Sequence, residues 1–168
     1  TGDNGEESAD SVPFITTPKN TAVQPVIEYR WTDDLKEIPY YRYGDSQQAF
    51  FESWDKSQAP FAIIEGSAAT FLVPICDRNN ILNSSYGNKK EVYRFKTLDE
   101  MLDWYASFVK QYDAYSGLDY DAEDPWNQDI RAKFFIKANA HGAGQAYYTT
   151  DHSAYNGKSL QTYLVKDW

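Results

Sequence analysis

Thr97-Leu98-Asp99-Glu100-Met101-Leu102-Asp103-Trp104-Tyr105-Ala106-Ser107-Phe108-Val109-Lys110-Gln111-Tyr112 is the stretch on which the fold turns. Leu98, Met101, Leu102, Tyr105, Phe108, Val109 and Tyr112 recur at spacings of three and four, which lays one apolar stripe along a helix. Thr97 and Glu100 stand at capping-box spacing, able to satisfy backbone N–H groups that the first turn leaves without partners. Gly117 supplies a left-handed stop. The pattern predicts a helix over 98–115 with one face against a sheet.

On either side of this helix the period changes from 3.6 to 2. Phe61-Ala62-Ile63-Ile64 and Phe71-Leu72-Val73 are apolar runs separated by Gly66 and Ser67, which reads as two consecutive strands joined by a tight turn, the second ending at Pro74. Downstream, Phe134, Ile136 and Ala138 alternate with Lys133, Phe135 and Lys137, a strand with one face on the core. Ile27, Tyr29 and Trp31 alternate with polar residues in the same way, and Val92 and Phe95 read as a further edge strand. Phe50, Phe51 and Trp54 have helical spacing behind Ser46, a candidate N-cap, and Leu160, Tyr163 and Leu164 suggest a short helix behind Ser159. The fold class that follows is α/β of the α+β type: a mixed or antiparallel twisted sheet, one long amphipathic helix and one or two short ones. Residues 1–25, rich in Asp, Glu, Gly, Ser, Thr and Pro, are expected to be a disordered acidic tether, with 26–168 a single α/β domain.

Composition narrows the function. With 25 acidic against 16 basic residues the net charge is -9, which opposes both nucleic-acid backbones and anionic membrane surfaces. No window is apolar for long enough to span a bilayer as a helix. The single cysteine, Cys76, excludes an internal disulfide; following the apolar run Phe71 to Ile75, it is expected to be a buried, inert thiol. Aromatics reach 17% of residues, too many beside polar neighbours for all to be core, and amphipathic rings suit sugar- and protein-binding surfaces.

Catalytic constellations are sparse. The histidines, His141 and His152, are not an H-E-x-x-H pair on adjacent helical turns. The acidic run Asp119-Tyr120-Asp121-Ala122-Glu123-Asp124 lacks the glycine and terminal Glu of a calcium loop, so a solvated loop is the stronger reading. No pair of acids is singled out for glycoside hydrolysis. The most unusual segment is His141-Gly142-Ala143-Gly144-Gln145-Ala146-Tyr147-Tyr148. Two glycines directly after a strand permit close backbone approach to a ligand, and equally permit a sterically demanding corner or bulge. Tyr147 and Tyr148 then place phenols on opposite sides of an extended backbone.

Several blocks, in order, resemble the enhancin-like, mucin-degrading zinc metallopeptidases, a branch of the gluzincins. Ala59-Pro60-Phe61-Ala62-Ile63-Ile64-Glu65-Gly66 looks like the opening of their peptidase module, and Leu98-Asp99-Glu100-Met101-Leu102-Asp103-Trp104-Tyr105 is similar to their central helix. Gly117-Leu118-Asp119 and Arg131 follow, and the segment His141 to Tyr148 resembles a glycine-rich block that ends in two tyrosines. The resemblance spans about Ala59 to Tyr148. In that family a zinc helix, H-E-x-x-H with a more distant Glu, comes soon after the last block, about where Asp167-Trp168 stand here. No catalytic residue and no metal ligand therefore carries over, and zinc is expected only in a full-length relative. What the resemblance implies for this chain is a non-catalytic N-terminal part of a peptidase domain, with His141, Gly142, Ala143, Gly144, Gln145, Tyr147 and Tyr148 as candidate substrate-cleft wall. It also implies a glycoprotein or glycan substrate and an extracellular or bacterial cell-surface setting. The acidic leader fits a tether to a lipid anchor upstream of Thr1. The competing readings are a stand-alone carbohydrate- or protein-binding module and an adhesion domain, neither with enzymatic activity.

Overall fold

In the computed structural model, the described residues are 26, 28, 36–82, 95–119, 121–128, 133–139, 146–148, 153–156 and 159–164; for 139, 146–148, 153–156, 161 and 162 the description is of the backbone alone. The chain divides into two compact units, Thr1–Glu37 and Ile38–Trp168. The first contains the whole of the expected tether and the expected strand around Ile27, Tyr29 and Trp31; those three residues lie outside the described ones.

The second unit is a mixed α/β fold. Strands β1 (Tyr40–Arg42), β2 (Phe61–Glu65), β3 (Ala69–Pro74), β4 (Phe134–Asn139), β5 (Ala146–Tyr148) and β6 (Ser153–Asn156) form one sheet in the order β1-β2-β3-β4-β6-β5. The β2–β3 hairpin is antiparallel, β1 runs parallel to β2, and β4 runs parallel to β3 and to β6. Both apolar runs of the sequence are thus strands, and Pro74 is the last residue of β3. Helices α1 (Gln47–Ser57) and α2 (Leu98–Ser116) lie in the β1–β2 and β3–β4 connections, and α1 touches β1 while α2 touches β3.

Register explains the core. Tyr41 pairs with Ile64, Ile64 with Phe71 and Phe71 with Ile136, so one row of large side chains crosses four strands on one face. All four are buried, and the Phe71 ring meets Tyr105 of α2 edge-on at 4.9 Å. Leu98, Met101 and Leu102 complete the contact from the helix, while Phe50 and Trp54 of α1 join the same cluster. Trp54 is fully buried because its indole N–H has a partner, the Ala59 carbonyl at 2.9 Å.

The helix ends follow their chemistry. Ser46 Oγ accepts from the Ala49 amide at 3.3 Å, and Thr97 Oγ1 accepts from the Glu100 amide at 3.0 Å. The expected capping box is displaced by one residue: the Glu100 carboxylate takes the Lys96 amide at 2.6 Å rather than that of Thr97. Gly117 closes α2 with φ of 75°. At the β2–β3 turn, a Cβ on Gly66 would lie 2.8 Å from Leu102 Cδ2, so only glycine lets the hairpin approach the helix this closely.

Five expectations change. Phe108 and Tyr112, placed on the packed stripe of α2, are 50% and 63% exposed, because the core contact ends at Tyr105. Phe134 leaves the core in the same way, whereas Ile136 stays in it. Cys76 is exposed: the apolar run ends at Ile75, where a 3₁₀ turn (Ile75–Asp77) rotates the buried position onto Asp77. Phe95 is buried but lies in no strand, and Val92 falls outside the described residues. The short helix behind Ser159 is a 3₁₀ turn, Gln161–Leu164.

Candidate functional site

Three features of the second unit have chemistry to offer: the outer edge of the sheet, a carboxylate cluster at the end of β2, and an aromatic groove beside α2. The sheet edge bears the segment singled out by sequence. After β4 the chain passes over one strand position, forms β5, and returns as β6 between β5 and β4. Tyr147 and Tyr148 are therefore in the last strand of the order, paired with Ala154 and Ser153 on its inner side. The outer side of β5 has no strand neighbour among the described residues, which leaves alternate backbone N–H and C=O groups directed away from the sheet. His141, Gly142, Ala143, Gly144 and Gln145 lie outside the described residues, as does His152, and only the backbone of Tyr147 and Tyr148 is described.

At the C-terminal end of β2, Glu65 gathers three partners. Lys133 Nζ and Tyr40 Oη donate to its two carboxylate oxygens, and Arg42 Nε stands 3.8 Å away. The hydrogen bond from Lys133, then that from Tyr40, holds the Glu65 carboxyl below the usual carboxylate range. Burial, then the hydrogen bond to Glu65, raises the Tyr40 phenol, and the Arg42 guanidinium sits 5.0 Å above its ring. Arg42, Glu65 and Lys133 line an open cleft of about 350 Å³ with Tyr43, Gly66 and Ser67. Each charge already has a partner of opposite sign, so the cluster ties β1 and the start of β4 to β2. Sequence reasoning did not assemble it, because Glu65 and Lys133 are 68 positions apart.

The third feature is a groove of about 380 Å³, floored by Ala69, Phe134 and Ile136 and walled by Trp104, Phe108 and Tyr112 of α2, with Tyr163 beside them. The Trp104 and Phe108 rings stack at 5.6 Å, and the Tyr105 hydroxyl donates to the Tyr163 carbonyl at 2.7 Å. Burial pushes the Tyr105 phenol well above its ordinary range. Its lining is almost wholly apolar.

Metal chemistry finds no seat in these features. Among the described residues no group of three or more His, Cys, Asp or Glu side chains could hold a metal ion, so those residues do not fit a zinc centre. In the acidic loop, Asp119 forms a β-bridge with Gln128, and Asp124 caps a 3₁₀ turn (Pro125–Asn127) by accepting the Trp126 amide at 3.0 Å. No helix among the described residues is long and apolar enough to cross a membrane.

No family model matches this sequence, and no curated protein matches it either. Solved structures do. A functionally unknown conserved protein from Bacillus anthracis str. Ames superposes with a TM-score of 0.60 and 13% identity, over 75% of this chain and 24% of that one. The catalytic module of the metalloprotease ZmpA from Clostridium perfringens gives 0.56 and 13%, over 76% and 26%. The M60 catalytic domain of ZmpC from Clostridium perfringens, solved in complex with the sialyl T antigen, gives 0.53 and 13%, over 77% and 26%. The chain thus spans about a quarter of the length of each of these three structures. At these identities the likeness is one of fold alone.

Proposed function

We propose that residues 1–168 are the non-catalytic front part of a secreted or surface zinc metallopeptidase domain that acts on glycoproteins such as mucins. The observation that carries this reading is the position of β5. The segment that resembles the enhancin-like glycine-rich block leads into the edge strand of a sheet that superposes on metalloprotease catalytic modules. An extended peptide could add to that edge by main-chain hydrogen bonds, with side-chain pockets setting specificity. In this reading the wall residues His141 to Gln145, with Tyr147 and Tyr148, border the peptide. Zinc, its ligands and the general base would be supplied by polypeptide outside residues 1–168, and the chemistry the ion would supply there is that of a Lewis acid. The glycan preference, the extracellular setting and the lipid anchor rest on the family resemblance.

The test is the polypeptide at its natural length. Intact mass and C-terminal sequencing are expected to extend past Trp168 into an H-E-x-x-H segment, and that polypeptide is expected to cleave a mucin-type glycoprotein in a chelator-sensitive manner. Residues 1–168 alone are expected to bind less than stoichiometric zinc and cleave nothing. A natural chain that stops at Trp168, or a longer one with no chelator-sensitive cleavage, would refute the reading.

One observation favours a second reading, a glycan-binding module. Trp126 is 89% and Tyr115 94% exposed, and solvent-facing rings of this kind stack on sugars. Quenching of tryptophan fluorescence by mucin-type oligosaccharides, lost in Trp126→Ala, would support it; no change with wild-type protein would remove it.

A further inference from the structure

The cleft at the end of β2 is built from three separate stretches of chain: Arg42 and Tyr43 at the end of β1, Glu65 to Ser67 at the β2–β3 turn, and Lys133 just before β4. The sheet brings them together, because β1 runs parallel to β2 and β4 starts where the hairpin turns. Arg42 and Lys133 share one carboxylate, that of Glu65, so the lining keeps one positive charge in a chain whose net charge is -9. Glu65 spends its two oxygens on Lys133 and Tyr40. Arg42 reaches it only through Nε at 3.8 Å, beyond hydrogen-bond range, and its guanidinium lies over the Tyr40 ring. That stacking leaves both Nη groups, on a side chain 71% exposed, without a hydrogen-bond partner among the described residues. Lys133 has two further N–H groups, and the exposed Ser67 adds an amide and a hydroxyl that no described residue takes. Asp45 and Asp103, outside the lining, are occupied by the Arg42 amide at 2.8 Å and the Tyr43 hydroxyl at 3.2 Å. The open groups of the cleft are thus almost all donors, set around one uncompensated cation.

Convergent donors with one net positive charge select a monoanion whose oxygens only accept, and the planar fork of an arginine matches a carboxylate. Beside the donors stands Tyr43, 55% exposed, whose hydroxyl is taken by Asp103 and whose ring offers a sugar an apolar face. At about 350 Å³ the cleft is near the small end of ligand sites, about 300–1,000 Å³, which suits one ring rather than a chain of them. We propose that it binds a single sugar residue that carries a carboxylate. The carboxylate lies on Arg42 and Lys133, the ring against Tyr43 and a ring hydroxyl on Ser67. In the order of the sheet this cleft is at the β1 end and the β5 edge at the other. It needs no polypeptide beyond residues 1–168, so it stands or falls apart from the peptidase reading.

Sodium glucuronate is titrated into the isotopically labelled chain, with sodium chloride holding the ionic strength constant, and the amide resonances are followed by NMR. Those of Gly66 and Ser67 are expected to shift saturably, with a dissociation constant of about 1–10 mM, since exposed ion pairs each contribute little. Arg42→Gln and Lys133→Gln are each expected to weaken binding about three-fold or more, with the α2 amides unmoved as the sign of an intact fold. Ser67→Ala, at an exposed position, leaves the charges in place and decides the matter should either charge variant unfold; it is expected to weaken binding about two-fold. No saturable shift, or the same shift with sodium chloride alone, overturns the proposal. Glucose binding as tightly as glucuronate overturns it by removing the carboxylate. Acetate or N-acetylaspartate binding as tightly overturns it by removing the sugar, the second in favour of an acidic peptide. Wild-type affinity in all three variants puts the ligand elsewhere and overturns it too.

Discussion

Asp77 is a fully buried charged side chain, and it ties two distant parts of the second unit together. Its carboxylate accepts the Ser159 hydroxyl at 2.5 Å and the Leu160 amide at 2.6 Å, across more than 80 residues of sequence. Leu160 and Leu164 behind it are buried in the core, and Tyr163 beside them accepts the Tyr105 hydroxyl. Asp77→Ala would delete two charge-assisted hydrogen bonds and leave the buried Leu160 N–H unpaired, a loss of about 3–5 kcal/mol. That is a large part of the roughly 5–15 kcal/mol typical of a domain. Asp77→Asn keeps one acceptor for Leu160 and is expected to cost less, about 1–2 kcal/mol. Urea unfolding followed by circular dichroism gives the three stabilities, and a double-mutant cycle with Ser159→Ala gives the coupling. The Leu160 amide should also lose hydrogen-exchange protection in the Ala variant. Equal, small losses for Ala and Asn, or a coupling to Ser159 near zero, would refute the reasoning.

Four further outcomes are expected. Gly66→Ala should cost about 1–3 kcal/mol, because the new Cβ meets the buried Leu102 side chain at 2.8 Å; an unchanged urea midpoint would contradict the packing. Gly117→Ala meets open space but a φ of +75°, so its cost, about 1–2 kcal/mol by the same assay, should come from backbone strain alone. Tyr41 and Tyr105 both titrate above the ordinary value of 10.0, chiefly through burial and, for Tyr41, then through its hydrogen bond to Asp99. Their contribution is complete below pH 10 and lost as pH rises beyond it, when the unfolded chain ionises first; phenolate absorbance should show at least these two tyrosines titrating only with unfolding, and one fewer such tyrosine in Tyr41→Phe. Glu65 is the opposite case: its depressed carboxyl stabilises above the ordinary value of 4.5 and loses that contribution as pH falls through its folded value. With Glu65 23% and Lys133 43% exposed, Lys133→Gln should remove less than about 1 kcal/mol, visible as a flatter acid limb of stability against pH.

Local chemistry made much of this fold legible. The caps at Ser46 and Thr97, the stop at Gly117 and the β2–β3 hairpin depend on neighbours a few residues away, and sequence periodicity finds such elements. β1 and β6 were missed, because strands of three and four residues carry too little alternation to register and are held by partners far along the chain. The α2 stripe was legible in extent but not in depth. Periodicity marks an apolar face, yet only tertiary packing decides that burial stops at Tyr105 and leaves Phe108 and Tyr112 open. At the candidate site the sequence marked the glycine-rich segment, and the structure adds that Tyr147 and Tyr148 fall in β5, the last strand in the order of the described sheet.

The blocks that carry the family resemblance can be sorted by what they do here. In the first, Ala59, Ala62 and Ile64 are buried, Glu65 ties three elements together and Gly66 makes room for Leu102. In the second, Leu98, Met101, Leu102 and Tyr105 are the helix side of the core, and Asp99 accepts both the Tyr41 hydroxyl and the Gly44 amide. Both blocks therefore specify how one helix meets one hairpin, a structural demand that any enzyme built on this sheet must meet and that says nothing of chemistry. The glycine-rich block differs in place, since it leads into β5, the last strand in the order of the described sheet. Substitutions in the first two blocks should thus appear as losses of stability that lower activity only through unfolding. On the proposed peptidase reading, substitutions at Gly142 or Gly144 should lower cleavage by the natural-length polypeptide while its urea midpoint stays in place. If instead all three blocks behave alike, with activity and stability falling together throughout, the edge strand is scaffold and the substrate lies elsewhere.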